Sequence, residues 1–256
     1  MIITFHGSDH KSGVSQTARG FAECLAAAFK YKKILLIHTD RAGSSCCPGV
    51  RESLADVRPY LREKMMDAEE LAGRARLKDN LYIIGGDPDP ESGRRYLPDM
   101  SEYMLTSFAK VFEYVICDSG SDAEYGLCLG SLLAADMVFM VLCQSEICLR
   151  RAEWLKPLYD KLSLKDCSYV LCKYDKNSPY DPDYVEERLG LNKGSLLYIR
   201  KSRHGEDAEL ENRSIYSFSE PGYRKDIALL ASKAAGADIT AESGKKLWKI
   251  RKERRV

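Results

Sequence analysis

Seven short apolar runs, rich in β-branched and aromatic residues, recur down the chain. They are Ile2–Phe5, Ile34–Ile37, Leu81–Ile84, Tyr114–Cys117, Met137–Cys143, Tyr169–Cys172 and Leu196–Ile199. Most are continuous rather than alternating, the pattern of strands covered on both faces in a parallel sheet. Between them lie stretches with helical spacing. Ala18, Phe21, Ala22, Leu25 and Phe29 share one face, Leu105, Phe108, Ala109 and Phe112 another, and Leu155, Leu158 and Leu162 a third. Sustained strand–helix alternation predicts an α/β fold, a doubly wound and mostly parallel sheet of about seven strands with helices on both faces. Segment Arg41–Arg76 has no clear strand and reads as helices and loop. Segment Asp175–Asp183, with Pro179 and Pro182, reads as a surface loop before a short helix ending at Gly190. No internal repeat or low-complexity linker interrupts residues 1–243, which read as a single domain. Residues 244–256, GKKLWKIRKERRV, shift abruptly to a basic tail.

Composition narrows the class of function without naming one. The 256 residues are 45% hydrophobic and 30% charged, ordinary for a soluble globular protein. The 39 basic and 38 acidic residues exert no global pull toward nucleic acid or membrane, so such partners must be read from local clusters. The nine cysteines form no CxxC pair. Cys117, Cys143 and Cys172 sit inside apolar runs and read as small hydrophobes, while Cys46-Cys47 reads as a reduced, unligated loop pair. The chain enters a β-like run, MIITF, with no leader pattern, and no apolar run approaches the ~20 residues that span a bilayer. A reduced, cytoplasmic protein is expected.

Candidate chemistry concentrates between Phe5 and Thr17. A strand, a loop of small residues and then an amphipathic helix is the arrangement in which backbone N–H groups and a helix N-terminus hold a phosphate. Thr17 falls where a hydroxyl could ligate Mg²⁺. The strict GxxxxGK[ST] pattern is not met. In that register His10 replaces the first glycine, Ser15 the second and Gln16 the lysine. His6, His10 and His38 lack the carboxylate or Cys spacing of a metal cluster and read as surface or second-shell histidines.

The loop nonetheless resembles the deviant P-loop of the ParA/MinD family, KGGxGK[ST]. Lys11, Gly13 and Thr17 match it, and Ser12, Ser15 and Gln16 depart from it. Ile34–Ala42 (ILLIHTDRA) is similar to the family's LLIDxDP strand end, with Asp40 at the switch aspartate and His38 where many members carry another Asp. Tyr114–Gly120 (YVICDSG) resembles the Walker B strand, with Asp118 in the Mg²⁺-linked position, and Ala134–Leu142 is similar to the family's "AD-x-V" strand. The likeness runs in order over residues 1–200 and implies a P-loop NTPase-like domain binding ATP and Mg²⁺. It implies catalytic roles for Lys11 and Asp40. It places nucleotide contacts at Lys11, Ser12, Gly13, Val14, Ser15, Gln16, Thr17 and Ala18, and metal ligands at Thr17, Asp40 and Asp118. It also implies a homodimer in which Lys11 reaches the partner's phosphates, and recruitment of a protein partner. In style the chain is similar to the atypical TadZ/CpaE branch, which implies a link to pilus or secretion machinery.

The departures define the expected behaviour. A lysine places a charge on the β- and γ-phosphates, and a charge-assisted hydrogen bond contributes about 1.5–3 kcal/mol against about 1 for a neutral amide. Gln16 should therefore weaken binding roughly tenfold and hydrolysis more. Ser15 adds about 1 kcal/mol of strain if its position needs a positive φ. The expected function is a ParA/MinD-like positioning or partner-recruiting protein with a degenerate ATP site and slow or absent hydrolysis. Two alternatives stay open: an active partition ATPase using Lys11, and a nucleotide-free scaffold. Plain readings stay open too, with Asp40 and Asp118 as turn residues, Lys11 as a solvated lysine and Thr17 as a helix N-cap. Leu171-Cys172-Lys173 and Tyr198–Lys201 lack the family's Asn and Pro base contacts, so adenine specificity is not implied. The tail resembles the MinD-type membrane-targeting helix. Its seven basic residues in 245–255 leave contact with anionic lipid at the inner membrane face, nucleic acid or solvent open, nucleic acid being the less favoured partner.

Overall fold

The computed structural model describes residues 1–40, 49–89, 91 and 95–240; Cys46, Cys47 and the tail 244–256 lie outside the described residues. Each of the seven apolar runs forms a strand: β1 (Ile2–Gly7), β2 (Ile34–His38), β5 (Leu81–Gly85), β6 (Tyr114–Asp118), β7 (Met137–Cys143), β8 (Cys167–Tyr174) and β9 (Leu197–Arg200). Two further strands, β3 (Glu52–Ser53) and β4 (Arg76–Lys78), bring the sheet to nine among the described residues. Both are short and polar and pair on the outside of β5, so no apolar run announces them. The order is β3-β5-β2-β6-β1-β7-β8-β9, parallel except for β4 on β5.

Among the described residues nine α-helices cover the sheet: α1 (Val14–Ala28), α2 (Leu54–Arg62), α3 (Ala68–Arg74), α4 (Pro98–Phe108), α5 (Gly126–Ala134), α6 (Glu146–Leu162), α7 (Pro182–Leu189), α8 (Gly205–Leu210) and α9 (Pro221–Ala235). The pleat sorts side chains between two apolar layers. Ile3, Phe5, Ile34 and Leu36 face Phe21 and Leu25 of α1 and Ile227 of α9. Ile2, Leu35 and Ile37 face Leu105 and Phe108 of α4 and Leu127 of α5. Phe5 stacks on Phe139 and meets Phe21 edge-on, both at 5.0 Å between centroids. As the loop reading expects, α7 closes at Gly190 in the left-handed region.

Thr4 and His6 share the parity of Ile2 and so point toward α5 and α6. Thr4 donates to the Ser131 carbonyl at 2.8 Å, and the His6 ring stands edge-on to Tyr159. Of the three histidines read as surface or second-shell, His10 is exposed, while His6 and His38 are fully buried. Burial lowers the His6 pKa to about 4, against a smaller opposing pull from Asp122.

From β1 the chain winds outward through β2 and β5, returns to β6, then crosses to β7, β8 and β9. The direction reverses beside β1. Open parallel sheets bind ligands outside the carboxyl ends of their strands at such a reversal. The loop that follows β1 lies there.

Candidate functional site

The loop leaves the sheet tied on both sides. The Gly7 amide donates to the Gly120 carbonyl beyond β6 at 2.7 Å, and the Ser8 amide to the Val141 carbonyl on β7 at 3.1 Å. The chain then folds back over the end of β1. A Cβ on Gly7 would lie 2.6 Å from both Ser12 Oγ and Val14 Cγ2, so only glycine admits this return. Lys11 and Gly13 take positive φ, 60° and 104°. Ser15 does not, because it already lies in the first turn of α1, so the strain expected from replacing glycine there does not arise.

No side chain caps α1 at Gly13, and no acidic residue occupies its first turn. Its first amides and the positive end of its dipole thus meet the loop without a resident carboxylate. Ser12 Oγ is buried against this turn and has no hydrogen-bond partner. Such an orphaned hydroxyl and a glycine cradle are features a phosphate would satisfy.

The side chains at the deviant positions turn elsewhere. Gln16 Nε2 donates to the Arg213 carbonyl at 3.1 Å, and the Ile215 amide donates to Gln16 Oε1 at 3.0 Å. The residue in place of the P-loop lysine therefore clamps the segment between α8 and a 3-10 turn at Ile215–Phe218. Thr17 is 2% exposed, with its hydroxyl 3.2 Å from Cys172 Sγ on β8. It lies inside α1, so the N-cap reading is incorrect; the N-cap is Gly13. Val14 and Ala18 pack into the core beneath the loop.

The acidic candidates gather on the other side. His38 and Asp118 are register partners on β2 and β6, and His38 Nδ1 lies 2.9 Å from Asp118 Oδ2 with both side chains fully buried. Asp118 Oδ1 has no hydrogen-bond partner. Asp40 follows β2 and packs against Gly120, where an added Cβ would lie 2.8 Å from Asp40 Cβ; the left-handed Gly120 admits this approach. The structure thus brings Asp40 and Asp118 together beside β6 and directs the Thr17 hydroxyl toward β8. Among the described residues no group of three or more His, Cys, Asp or Glu side chains could hold a metal ion.

Sequence reasoning missed Lys173. It ends the apolar run of β8 at a φ of 55°, and its ammonium donates to the Lys11 carbonyl at 2.6 Å. A lysine from the sheet therefore stands over the loop that lacks one on its helix. The only sequence signal is a basic residue directly after the apolar run Tyr169–Cys172. Beside it opens a groove of about 560 Å³ lined by Tyr174, Lys176, Tyr198, Lys201 and Arg203 among others, with the two tyrosine rings 4.8 Å apart.

No protein-family model matches the sequence, and no curated protein matches it. Solved structures do. A ParA family ATPase from Chlorobium tepidum TLS superposes with a TM-score of 0.79 at 19% identity, over 90% of this chain and 96% of that one. A chain of the MinC:MinD cell division protein complex of Aquifex aeolicus gives 0.72 at 15%, over 93% and 96%. MinD from Pyrococcus horikoshii OT3, complexed with Mg-ADP, gives 0.69 at 18%, over 91% and 95%. The chain has the ParA/MinD fold. With that fold, the β1–α1 loop and the ends of β2 and β6 occupy the carboxyl edge of the sheet, where the three motif matches fall. No helix among the described residues is long and apolar enough to cross a membrane.

Proposed function

We propose that the chain is a ParA/MinD-like positioning protein that binds a nucleotide weakly at the β1–α1 loop and hydrolyses it slowly or not at all. The observation that carries this reading is that the residue in the lysine position is the neutral Gln16, and its amide is engaged with Arg213 and Ile215. The glycine cradle, the uncapped first turn of α1 and the orphaned Ser12 hydroxyl support phosphate binding. Lys173 contributes the charge that α1 lacks, and the Tyr174–Tyr198 groove receives the rest of the nucleotide. Asp118 and Asp40 are the groups that would hold Mg²⁺, which neutralises phosphate charge when bound. Asp118 shares its carboxylate with His38, so this metal site is weak.

Slow turnover follows from the same geometry. Phosphoryl transfer depends on charge aimed at the transferring group, and no helix-borne lysine supplies it. A protein that holds nucleotide without consuming it acts as a ligand-stabilised dimer and recruits a partner; a pilus or secretion apparatus fits the sequence resemblance. One neighbouring structure is itself a MinC:MinD complex. Lys11 favours the second reading, a working ATPase, because it is an exposed lysine held at positive φ on the loop crown.

Phosphate release with Mg-ATP, followed alongside light scattering for dimerisation, tests the proposal. The expected result is ATP-dependent dimers with turnover near background, rising in Gln16→Lys. Robust wild-type turnover abolished by Lys11→Ala and Asp40→Ala would replace it with the second reading. No response of either readout to ATP would leave a nucleotide-free scaffold.

A further inference from the structure

Cys143, Cys148 and Cys172 converge where the loop meets β7, β8 and α6, although the sequence presents Cys143 and Cys172 only as apolar fillers. Cys143 ends β7 and is the register partner of Cys172 on β8. Cys148 lies in the first turn of α6, and its sulfur accepts the Cys143 amide at 3.0 Å. Ser8 Oγ lies 2.8 Å from Cys148 Sγ, and Ser145 Oγ lies 3.6 Å from Cys143 Sγ. Cys148 is fully buried and Cys143 half-buried, and the Cys148 sulfur lies against the Cys143 backbone amide.

We propose that Cys143 and Cys148 form a peroxide-reactive dithiol site, with Cys143 the attacking sulfur and Cys148 the resolving one. The Cys143 thiolate attacks a peroxide oxygen. An S–O bond forms, the O–O bond breaks, and the departing hydroxide takes a proton to become water. Cys148 then attacks the Cys143 sulfur. The S–S bond forms, the S–O bond breaks, and the hydroxide leaves as water with the Cys148 proton. Two thiols are oxidised by two electrons and hydrogen peroxide is reduced to two waters.

The surroundings select Cys143 for the first step. The hydrogen bond from Cys148, then that from Ser145, then the field of the Lys173 ammonium hold its thiol below the ordinary range, opposed by burial and by Asp9. The neighbouring thiols are pushed the other way. Cys172 rises to about 12 through burial, and Cys148 rises through its bond to Cys143 and burial. Reactive thiols are partly exposed and electropositive, whereas buried ones are inert. The remaining charged group near Asp9 is Arg151 of α6, which is ion-paired to it.

The site has a route to the loop. Closing the disulfide draws Cys148 Sγ from Ser8, the first loop residue after β1, and removes the thiolate that faces Lys173. This consequence rests on the nucleotide reading; the dithiol chemistry does not.

Full-length reduced protein treated with hydrogen peroxide, digested and mapped by mass spectrometry provides the test. The expected product is a Cys143–Cys148 disulfide inside the tryptic peptide that ends at Arg150. Cys148→Ala should accumulate Cys143 sulfenic acid, trapped by dimedone, and Cys143→Ser should leave Cys148 unoxidised. Reduced Cys143 should also be the first described cysteine alkylated by iodoacetamide at pH 7. A peroxide-treated wild type without this disulfide overturns the proposal, whatever the variants do. So does first alkylation at another described cysteine. If the variants fail to fold, as circular dichroism would reveal, the wild-type map decides alone.

Discussion

Gln16→Ala separates two roles that the loop position alone cannot. In the structure the Gln16 amide bridges 197 and 199 residues of sequence, donating to the Arg213 carbonyl and accepting from the Ile215 amide. A net hydrogen bond contributes about 1 kcal/mol, and a part-buried amide left unpaired costs about 1–3 kcal/mol. The Ile215 amide is part-buried and precedes Tyr216, which is 5% exposed, so its loss should weigh more than that of the exposed Arg213 contact. Alanine returns a few tenths of a kcal/mol through helix propensity. The sum is a destabilisation of about 1–2 kcal/mol. Urea unfolding should give a lower midpoint with an unchanged slope, because the surface exposed on unfolding is the same. Mg-ATP affinity should stay within about twofold of wild type, since the amide does not face the phosphates. Unchanged stability with a roughly tenfold loss of affinity would refute the reasoning and return Gln16 to the phosphate site.

Other consequences are equally direct. Asp118→Ala removes the 2.9 Å contact from buried His38 and should lower stability by about 1–3 kcal/mol even without nucleotide, measurable by thermal melting. His6 is held neutral in the fold down to about pH 4, whereas an unfolded histidine protonates near 6.5. The unfolded chain thus binds the extra proton between those values, so stability should fall from pH 6.5 toward 4 at up to about 1.4 kcal/mol per pH unit. His6→Gln should flatten that fall relative to wild type in paired urea titrations. Gly130→Ala should destabilise by about 1–3 kcal/mol, because the new methyl overlaps the Pro98 carbonyl and Ser101 Cβ where α5 packs on α4.

The sheet was legible because its central strands, β1, β2, β6 and β7 above all, are covered on both faces and therefore read as unbroken apolar runs. Glu52–Ser53 and Arg76–Lys78 were not, since edge pairing needs backbone groups and leaves side chains polar. The loop from Lys11 to Thr17 was also legible, because small residues between a strand and an amphipathic helix have few other uses. What those residues do was not. Spacing along the chain could not show that Gln16 bonds Arg213 and Ile215, or that the Thr17 hydroxyl lies beside Cys172. Position 38 showed only that an imidazole stands where many ParA/MinD members have a carboxylate; the β2–β6 register makes it the partner of Asp118. Lys173 and the Cys143–Cys148 pair escaped for a related reason. Their chemistry comes from neighbours on other elements, which spacing along one run cannot record.

The central claim is a living phosphate site whose cation comes from β8 instead of α1. Calorimetric titration of Mg-ATP into wild-type protein and Lys173→Ala tests it most directly. The account predicts micromolar to submillimolar binding in the wild type and about a tenfold loss in the variant, the difference between a charge-assisted and a neutral contact. Absence of binding at millimolar ATP, or equal affinity in both proteins, would contradict it.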